Sequence, residues 1–91
     1  MEGHIYESNG KDYGITKQQQ EVTLEFMQKI VGGYIQFIYL DNEDVMIINE
    51  EGKIDGLPIN RKATAIYQRN LGHDGDYIVG DVLVTKRKYV S

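Results

Sequence analysis

The stretch YIQFIYLDNEDVMIIN, residues 34–49, decides the fold. Aromatic and β-branched residues fill 34–40 and 45–49, and both residue types are typical of strands. The polar run DNED at 41–44 predicts a turn between them, so 34–49 is interpreted as an antiparallel hairpin. Both arms are almost wholly apolar, which favours a central pair of strands covered on both faces. Another subunit is one candidate for the second covering layer.

Upstream of this hairpin, residues 16–31 predict a helix that is clearest in its second half. Its apolar positions recur at helical spacing: Leu24, Met27, Ile30 and Val31. Thr23 is the preferred N-cap, and an earlier start at Thr16 with Gln19 in a capping box is the alternative. Gly32–Gly33 predicts the helix end.

The N-terminal segment has a less regular strand pattern. Asn9–Gly10 is a strong turn dipeptide, so 3–15 is interpreted as a hairpin or an extended arm. A chain of 91 residues makes one domain. We therefore predict a single domain over 1–91, with 1–22 as a peripheral arm or hairpin and 23–87 as the core.

Downstream of the central hairpin, the chain predicts a second helix and a last strand. Asn60 is a good N-cap for RKATAIYQR at 61–69, with Ala63, Ile66 and Tyr67 turned inward. YIVGDVLVTKR at 77–87 predicts a long final strand that is interrupted at Gly80. The pattern as a whole predicts an α+β fold, a small mostly antiparallel sheet with one or two short helices on it.

The composition excludes several classes of function. Acidic residues outnumber basic ones by 14 to 10, which argues against nucleic-acid binding. The absence of cysteine excludes disulfides, thiolate metal sites and cysteine nucleophiles. The longest apolar runs are far short of a membrane span, and the N-terminus has no secretion-signal pattern. We expect a cytoplasmic protein without a cofactor, and the open edges of a small sheet favour a homo-oligomer.

Four motifs follow one another at short spacings. They are VGGYI at 31–35, NEEGK at 49–53, GLPINRKAT at 56–64 and IVGDVLVT at 78–85. In this order, with the patterns LPxNRxAT and GDxL, they resemble a family of small uncharacterised proteins of bacteriophages, plasmids and integrative elements. The resemblance covers residues 24–85 and leaves the N-terminal 22 residues outside. It implies a mobile-element origin and a location in the host cytoplasm, and it implies no reaction.

GLPINRKAT concentrates directional polar side chains at a helix start. Backbone N–H groups at such a start attract anions, Arg61 adds a planar fork for phosphate or carboxylate, and Thr64 shares a face with Asn60. We predict that Asn60, Arg61 and Thr64 grip an anion. The alternative is purely structural: Asn60 caps the helix and Arg61 pairs with Glu50 or Glu51.

The turn NEEGK and the tyrosines supply the rest of the predicted site. Asn49 and Glu50 suit the hydroxyls of a sugar, and Lys53 is either a ligand contact or an ion-pair partner within a solvated turn. Tyr67 or Tyr77 is a candidate for stacking a base. HDGD at 73–76 resembles a metal-binding loop. One imidazole and two carboxylates are weak evidence for such a site, so no metal site is predicted.

These observations lead to three hypotheses. The first is a non-enzymatic accessory protein that sequesters a small anionic, nucleotide-derived host defence signal. The second is a protein-interaction module that inhibits a host enzyme through an acidic, tyrosine-rich surface or an open strand edge. The third is an enzyme that acts on a nucleotide through Glu50 or Glu51. For the first, the predicted ligand-binding residues are Asn49, Glu50, Lys53, Asn60, Arg61, Thr64 and Tyr67.

Overall fold

The computed structural model describes residues 3–16, 22–72 and 75–90. Its elements in chain order are β1 (Gly3–Tyr6), β2 (Asp12–Ile15), α1 (Leu24–Val31), β3 (Ile35–Tyr39), β4 (Asp44–Asn49), α2 (Arg61–Leu71), β5 (Val82–Lys86) and a short 3-10 helix (Arg87–Tyr89). The strands form one sheet in the order β2-β1-β5-β4-β3, and every neighbouring pair is antiparallel. The predicted α+β fold is confirmed.

Both helices begin and end where local chemistry predicts. The Thr23 side chain accepts a hydrogen bond from the Phe26 N–H, which confirms the later of the two predicted starts of α1. Part of the earlier alternative lies outside the described residues. Gly32 and Gly72 end α1 and α2 in the left-handed conformation that glycine adopts at little cost.

Two apolar cores lie on opposite faces of the sheet. Val45 and Ile47 of β4 pack in one core with α1, whereas Met46 packs in the other core with α2. Because successive side chains of a strand point to opposite faces, the two helices cover opposite sides. The side covered by Ala63 and Tyr67 of α2 is called the α2 face, and the other the α1 face.

The hairpin 34–49 forms as predicted, but only one of its arms is central. β4 lies between β3 and β5 and is covered on both faces, whereas β3 is the last strand on its side of the described sheet. Phe37 and Tyr39 are 36% and 54% exposed. The prediction of a fully covered central pair is therefore wrong for β3. The apolar composition of the hairpin does not predict which of its two arms pairs with β5.

The long final strand is shorter than predicted. Residues 77–81 leave the ladder, because Gly80 takes a φ of 75° and turns the chain. Val79 makes an isolated bridge to Ile59 instead, and the Ile78 carbonyl accepts the Asn60 N–H at 2.8 Å. The last strand consequently begins at Val82.

Of the two predictions for the N-terminal segment, an arm or a hairpin, the hairpin is confirmed, and it is part of the sheet. β1 pairs with β2 on one side and with β5 on the other, so that Gly3 lies opposite Thr85. Ile5 and Ile15 are buried in the core that α1 covers. Pairing with β5, which is distant in sequence, positions this hairpin in the sheet, and nothing in residues 1–22 predicts that pairing.

Neither helix of the described chain has the length and apolar character to cross a membrane.

Candidate functional site

A cleft of about 360 Å³ opens on the α2 face beside β3. α2 packs over Met46 and Val82, which belong to the central strands β4 and β5. Tyr67 and Leu71, one turn apart on α2, line the cleft, as do Gln36 and Ile38 of β3. The cleft thus exists because the helix is centred away from the edge strand.

The lining combines apolar side chains with a few polar groups, the usual make-up of a small-molecule site. Besides those four residues, the cleft is lined by Phe37, Ile48, Asn49, Glu50, Lys53, Ile54, Asp76, Tyr77, Ile78 and Val79. Its volume lies at the lower end of the range of about 300–1,000 Å³ that such sites span. The volume is compatible with a ligand of about the size of a nucleoside or a mononucleotide.

Asp76 is the centre of the polar network in the cleft. Its Oδ1 lies 2.5 Å from Lys53 Nζ and accepts the Tyr77 N–H at 2.8 Å. Its Oδ2 accepts a hydrogen bond from the Tyr67 hydroxyl at 3.1 Å, and its backbone carbonyl accepts one from Gln68 Nε2 at 2.8 Å. Three contacts therefore hold the carboxylate in place, and a fourth holds the backbone of Asp76.

This network fixes the protonation states of its members. The hydrogen bond from Lys53, and after it those from the Tyr77 N–H and the Tyr67 hydroxyl, lower the pKa of Asp76. The hydrogen bond to Asp76 raises the pKa of Lys53. Burial, and then the bond to Asp76, raise the pKa of Tyr67. At neutral pH the cleft therefore presents an ammonium, a carboxylate and a neutral phenol.

The aromatic side of the cleft is formed by Tyr77. Its ring is 41% exposed, and Lys53 Nζ lies 4.4 Å from the ring centroid, within the range of a cation–π contact. The ring is thereby held against the same lysine that binds Asp76. This arrangement gives a ligand an ordered aromatic surface next to a charged pair.

Asn49 lies in the wall of the cleft, but its side chain stabilises the surrounding backbone. Its Nδ2 donates to the Val31 carbonyl at 3.1 Å, and its Oδ1 accepts the Glu51 N–H at 2.8 Å. These bonds join the end of α1 to the turn that carries Glu50 and Lys53. The amide therefore positions two cleft residues, and its ligand role stays a prediction.

The structure does not bring the helix-start residues to the cleft. Asn60 is 1% exposed, and its Nδ2 donates to the carbonyls of Tyr6 and Gly80 at 2.8 and 2.9 Å. Its Oδ1 accepts the Ala63 N–H at 3.0 Å, which confirms the predicted N-cap. The Ala63 N–H is therefore already hydrogen-bonded within the protein and is not available to an anion.

Thr64 and Arg61 also lie outside the lining of the cleft. The Thr64 hydroxyl donates to the Ile78 carbonyl at 3.3 Å and accepts the Ile78 N–H at 2.9 Å. Arg61 is exposed, and within the described ranges it forms no ion pair with Glu50 or Glu51. Of the seven predicted ligand residues, the cleft gathers Asn49, Glu50, Lys53 and Tyr67.

Asp76 and Tyr77, which supply the central carboxylate and an exposed aromatic ring of the cleft, do not belong to the predicted set of seven. The sequence indicates Asp76 only as part of a metal loop, and Tyr77 only as an alternative to Tyr67. Lys53 and Asp76 are 23 residues apart, so no local spacing signals their contact. His73 and Asp74 of that loop lie outside the described residues, and no metal-binding cluster of histidines and carboxylates occurs among the described ones.

Comparison with known proteins places the chain in a family. The family model described as "Domain of unknown function (DUF3846)" matches residues 6–89. This match includes most of the N-terminal hairpin, which the motif resemblance left outside. No curated protein matches the chain, and no solved structure matches it. Because the family model covers nearly the whole sequence, the chain belongs to this family of domains of unknown function.

Proposed function

We propose that the protein binds a small nucleotide-derived ligand in the cleft without turning it over. The observation that carries this proposal is the convergence of Glu50, Lys53 and Tyr67 with Asp76 and Tyr77 around one concave surface. The motif resemblance supports a proposed biological role as well. In this role, the protein is a phage or mobile-element accessory protein that sequesters a host defence signal in the host cytoplasm.

The base and the sugar fit the aromatic and acidic parts of the cleft. A base stacks on any exposed aromatic face, and such stacking contributes about 1–3 kcal/mol per base. Tyr77 offers such a face. The carboxylate of Glu50 and the amide of Gln36, which both line the cleft, suit the hydroxyl and amino groups of a nucleoside.

The anionic part of the ligand is assigned to Lys53. In the unliganded protein the ammonium is already bonded to Asp76, so a phosphate has to compete with this carboxylate. Glu50 adds a second negative charge to the lining. We therefore expect modest affinity for the anion itself, with the base and the sugar supplying most of the binding energy.

Binding without turnover is supported by the chemistry of the network. The raised pKa values of Lys53 and Tyr67 keep both groups protonated at neutral pH, so neither is poised as a base or a nucleophile. Glu51 does not line the cleft, so Glu50 and Glu51 do not meet there as an acid–base pair. These features favour a binding role over the enzyme hypothesis.

Calorimetric titration with nucleosides and their mono-, di- and cyclic nucleotides tests the proposal. Tyr77→Ala should weaken binding about tenfold or more, since a factor of ten corresponds to about 1.4 kcal/mol. Asp76→Asn should strengthen binding of nucleotides relative to nucleosides, because it frees Lys53. Arg61→Ala is the matched control outside the cleft and should bind like the wild type.

Two results would decide against parts of the proposal. If a nucleoside and its nucleotide bind equally well, and Asp76→Asn changes neither, the anionic group is not recognised. If no compound binds at about 1 mM, near the weak limit of about −4 kcal/mol, the cleft is not a nucleotide site. Recovery of a bound ligand intact after long incubation checks the absence of turnover.

The second candidate, a module that inhibits a host enzyme, is favoured by the exposed apolar rim of the same cleft. Ile54 is 84% exposed, and the partly exposed Tyr77 lies at the cleft with it. Exposed apolar residues around a concavity are typical of protein-binding surfaces. Stoichiometric capture of a host protein by the wild type, lost in an Ile54→Lys variant, together with no nucleotide binding by the wild type, would support this candidate.

A further inference from the structure

Within the described part of the chain, the outer edge of β3 presents backbone groups without a strand partner, in a definite pattern. Leu40 donates its N–H to Asp44, and the Tyr34 carbonyl accepts the Glu50 N–H, so 34 and 40 direct their groups toward β4. These directions alternate along an antiparallel strand. The N–H and C=O groups that point away from β4 are therefore those of Ile35, Phe37 and Tyr39.

This edge lacks the features that usually protect a strand edge. Residues 34–40 contain no charged residue and no proline. The opposite edge of the sheet, β2, carries Asp12, which is bonded to Lys62 and His4, and it contains Gly14. Charges and short irregular strands discourage edge-to-edge pairing. Of the two edges of the described sheet, β3 is thus the one suited to pair with another strand.

We propose that β3 pairs antiparallel with β3 of a second copy of this chain, with the two-fold axis passing at Phe37. In this register Ile35 lies opposite Tyr39 of the second copy, and Phe37 lies opposite Phe37. All three outward-facing residues then form hydrogen-bonded pairs, each of which exchanges two N–H···O=C bonds. A register centred on residue 36 or 38 leaves one of the three without a partner in the strand.

The side chains of these pairs are also complementary. Ile35, Phe37 and Tyr39 all project on the α1 face, since they alternate with Gln36 and Ile38. Aromatic–aromatic and aromatic–β-branched cross-strand pairs each stabilise a sheet by roughly 0.2–1 kcal/mol. The proposed pairing places one Phe–Phe pair between two Ile–Tyr pairs, and the Arg87 guanidinium already stacks on each Tyr39 ring at 4.7 Å from its centroid.

The pairing also changes the cleft. Gln36 and Ile38 line it, and in the proposed register Gln36 lies opposite Ile38 of the second copy. Two clefts then lie next to each other on one face of a continuous sheet, and each has an apolar side chain of the partner at its border. The pairing itself does not depend on what the cleft binds.

A single five-residue edge buries less than the roughly 1,600 Å² of a standard interface, so we expect a dimer of moderate affinity. Sedimentation velocity from about 1 to about 500 µM should show a monomer–dimer equilibrium with a dissociation constant in the micromolar range. Phe37→Lys should remain monomeric throughout. Ile59→Lys, at an exposed apolar residue away from β3, is the matched control and should dimerise like the wild type.

Single cysteines test the register, because the chain has none of its own. Opposite residues in a hydrogen-bonded pair have Cα atoms about 5.5 Å apart, which a disulfide spans. Phe37→Cys should therefore cross-link to a covalent dimer under mild oxidation. Two copies of Tyr39→Cys would have their cysteines about 14 Å apart, four residues along the strand, and should not. Circular dichroism checks that each variant is folded.

Three outcomes would overturn the proposal. One is a wild type that stays monomeric at every concentration, which would leave β3 to a strand of a different protein or to none. Another is a folded Phe37→Lys variant that dimerises like the wild type. The third is cross-linking of Tyr39→Cys as fast as that of Phe37→Cys, which would exclude the register.

Discussion

Replacement of Asn60 by alanine is the perturbation that most directly tests how this fold is held together. The Asn60 side chain caps α2 and also donates two hydrogen bonds, to the carbonyls of Tyr6 and Gly80. It therefore joins a helix start, the end of β1 and the segment before β5.

The expected loss of stability can be worked from these three bonds. Removing an N-cap costs about 1 kcal/mol. Each of the two amide bonds contributes about 1–1.5 kcal/mol, and more where a carbonyl is left buried without a partner. Asn60→Ala should thus lower the free energy of unfolding by about 3–4 kcal/mol, a large share of the roughly 5–10 kcal/mol expected for such a domain.

Urea denaturation followed by circular dichroism measures this difference, and two further variants separate its parts. Asn60→Ser keeps a capping oxygen but loses the amide donors, so it should recover only about 1 kcal/mol of the loss. Arg61→Ala, at the exposed neighbouring position, should change stability by less than about 0.5 kcal/mol.

A cost below about 1 kcal/mol for Asn60→Ala would refute the reasoning, because water would then replace the amide without penalty. Equal costs for the alanine and serine variants would show instead that the cap contributes nothing measurable.

Three further predictions concern the backbone, the core and the charges. In urea denaturation, Gly80→Ala should lower the free energy of unfolding by about 2–3 kcal/mol and Gly72→Ala by about 1 kcal/mol. Both glycines lie at positive φ, but only at Gly80 would the new Cβ meet a leucine side chain, at 2.9 Å. Equal losses for the two variants would contradict this. Met46→Ala, at a position with no exposed surface, should cost about 3 kcal/mol by the same assay, and less than about 1 kcal/mol would mean that the core collapses to fill the space. The pKa values of Asp12 and Asp76 are lowered in the folded protein, chiefly by hydrogen bonds from Lys62 and Lys53, so the stability they supply is present above the ordinary carboxyl pKa and is lost as the pH falls through the folded values. The urea midpoint should therefore fall from about pH 5 toward pH 2, and an Asp12→Asn, Asp76→Asn double variant that keeps the same slope would contradict this assignment.

Much of the fold could be predicted from the sequence because its signals are local. The hairpin 34–49 combines two apolar runs with a polar turn, and both helix ends are marked by a capping side chain and a glycine. The inward positions Ala63 and Tyr67 follow from helical spacing alone. None of these predictions requires knowledge of which strand pairs with which.

What could not be predicted depends on long-range pairing. β3 and β4 have similarly apolar sequences, and β3 is the edge strand only because β5 pairs with β4. The sequence predicts an interruption within a strand at Gly80, whereas this glycine lies in an irregular segment, 77–81, that runs beside α2. The contact of Lys53 with Asp76 joins two loops that share no motif, so the centre of the cleft was not predictable from either one.

The position of β5 has a consequence for how the molecule folds. The hairpins β1–β2 and β3–β4 each need only neighbouring residues, but β5 must bring them together by pairing Gly3 with Thr85 and Met46 with Val84. Such closure of most of the chain is entropically costly and slow compared with hairpin formation. We therefore expect the pairing of β5 to limit the folding rate. Substitutions along β5, and in the hairpin turns that form before it pairs, should slow folding more than they speed unfolding.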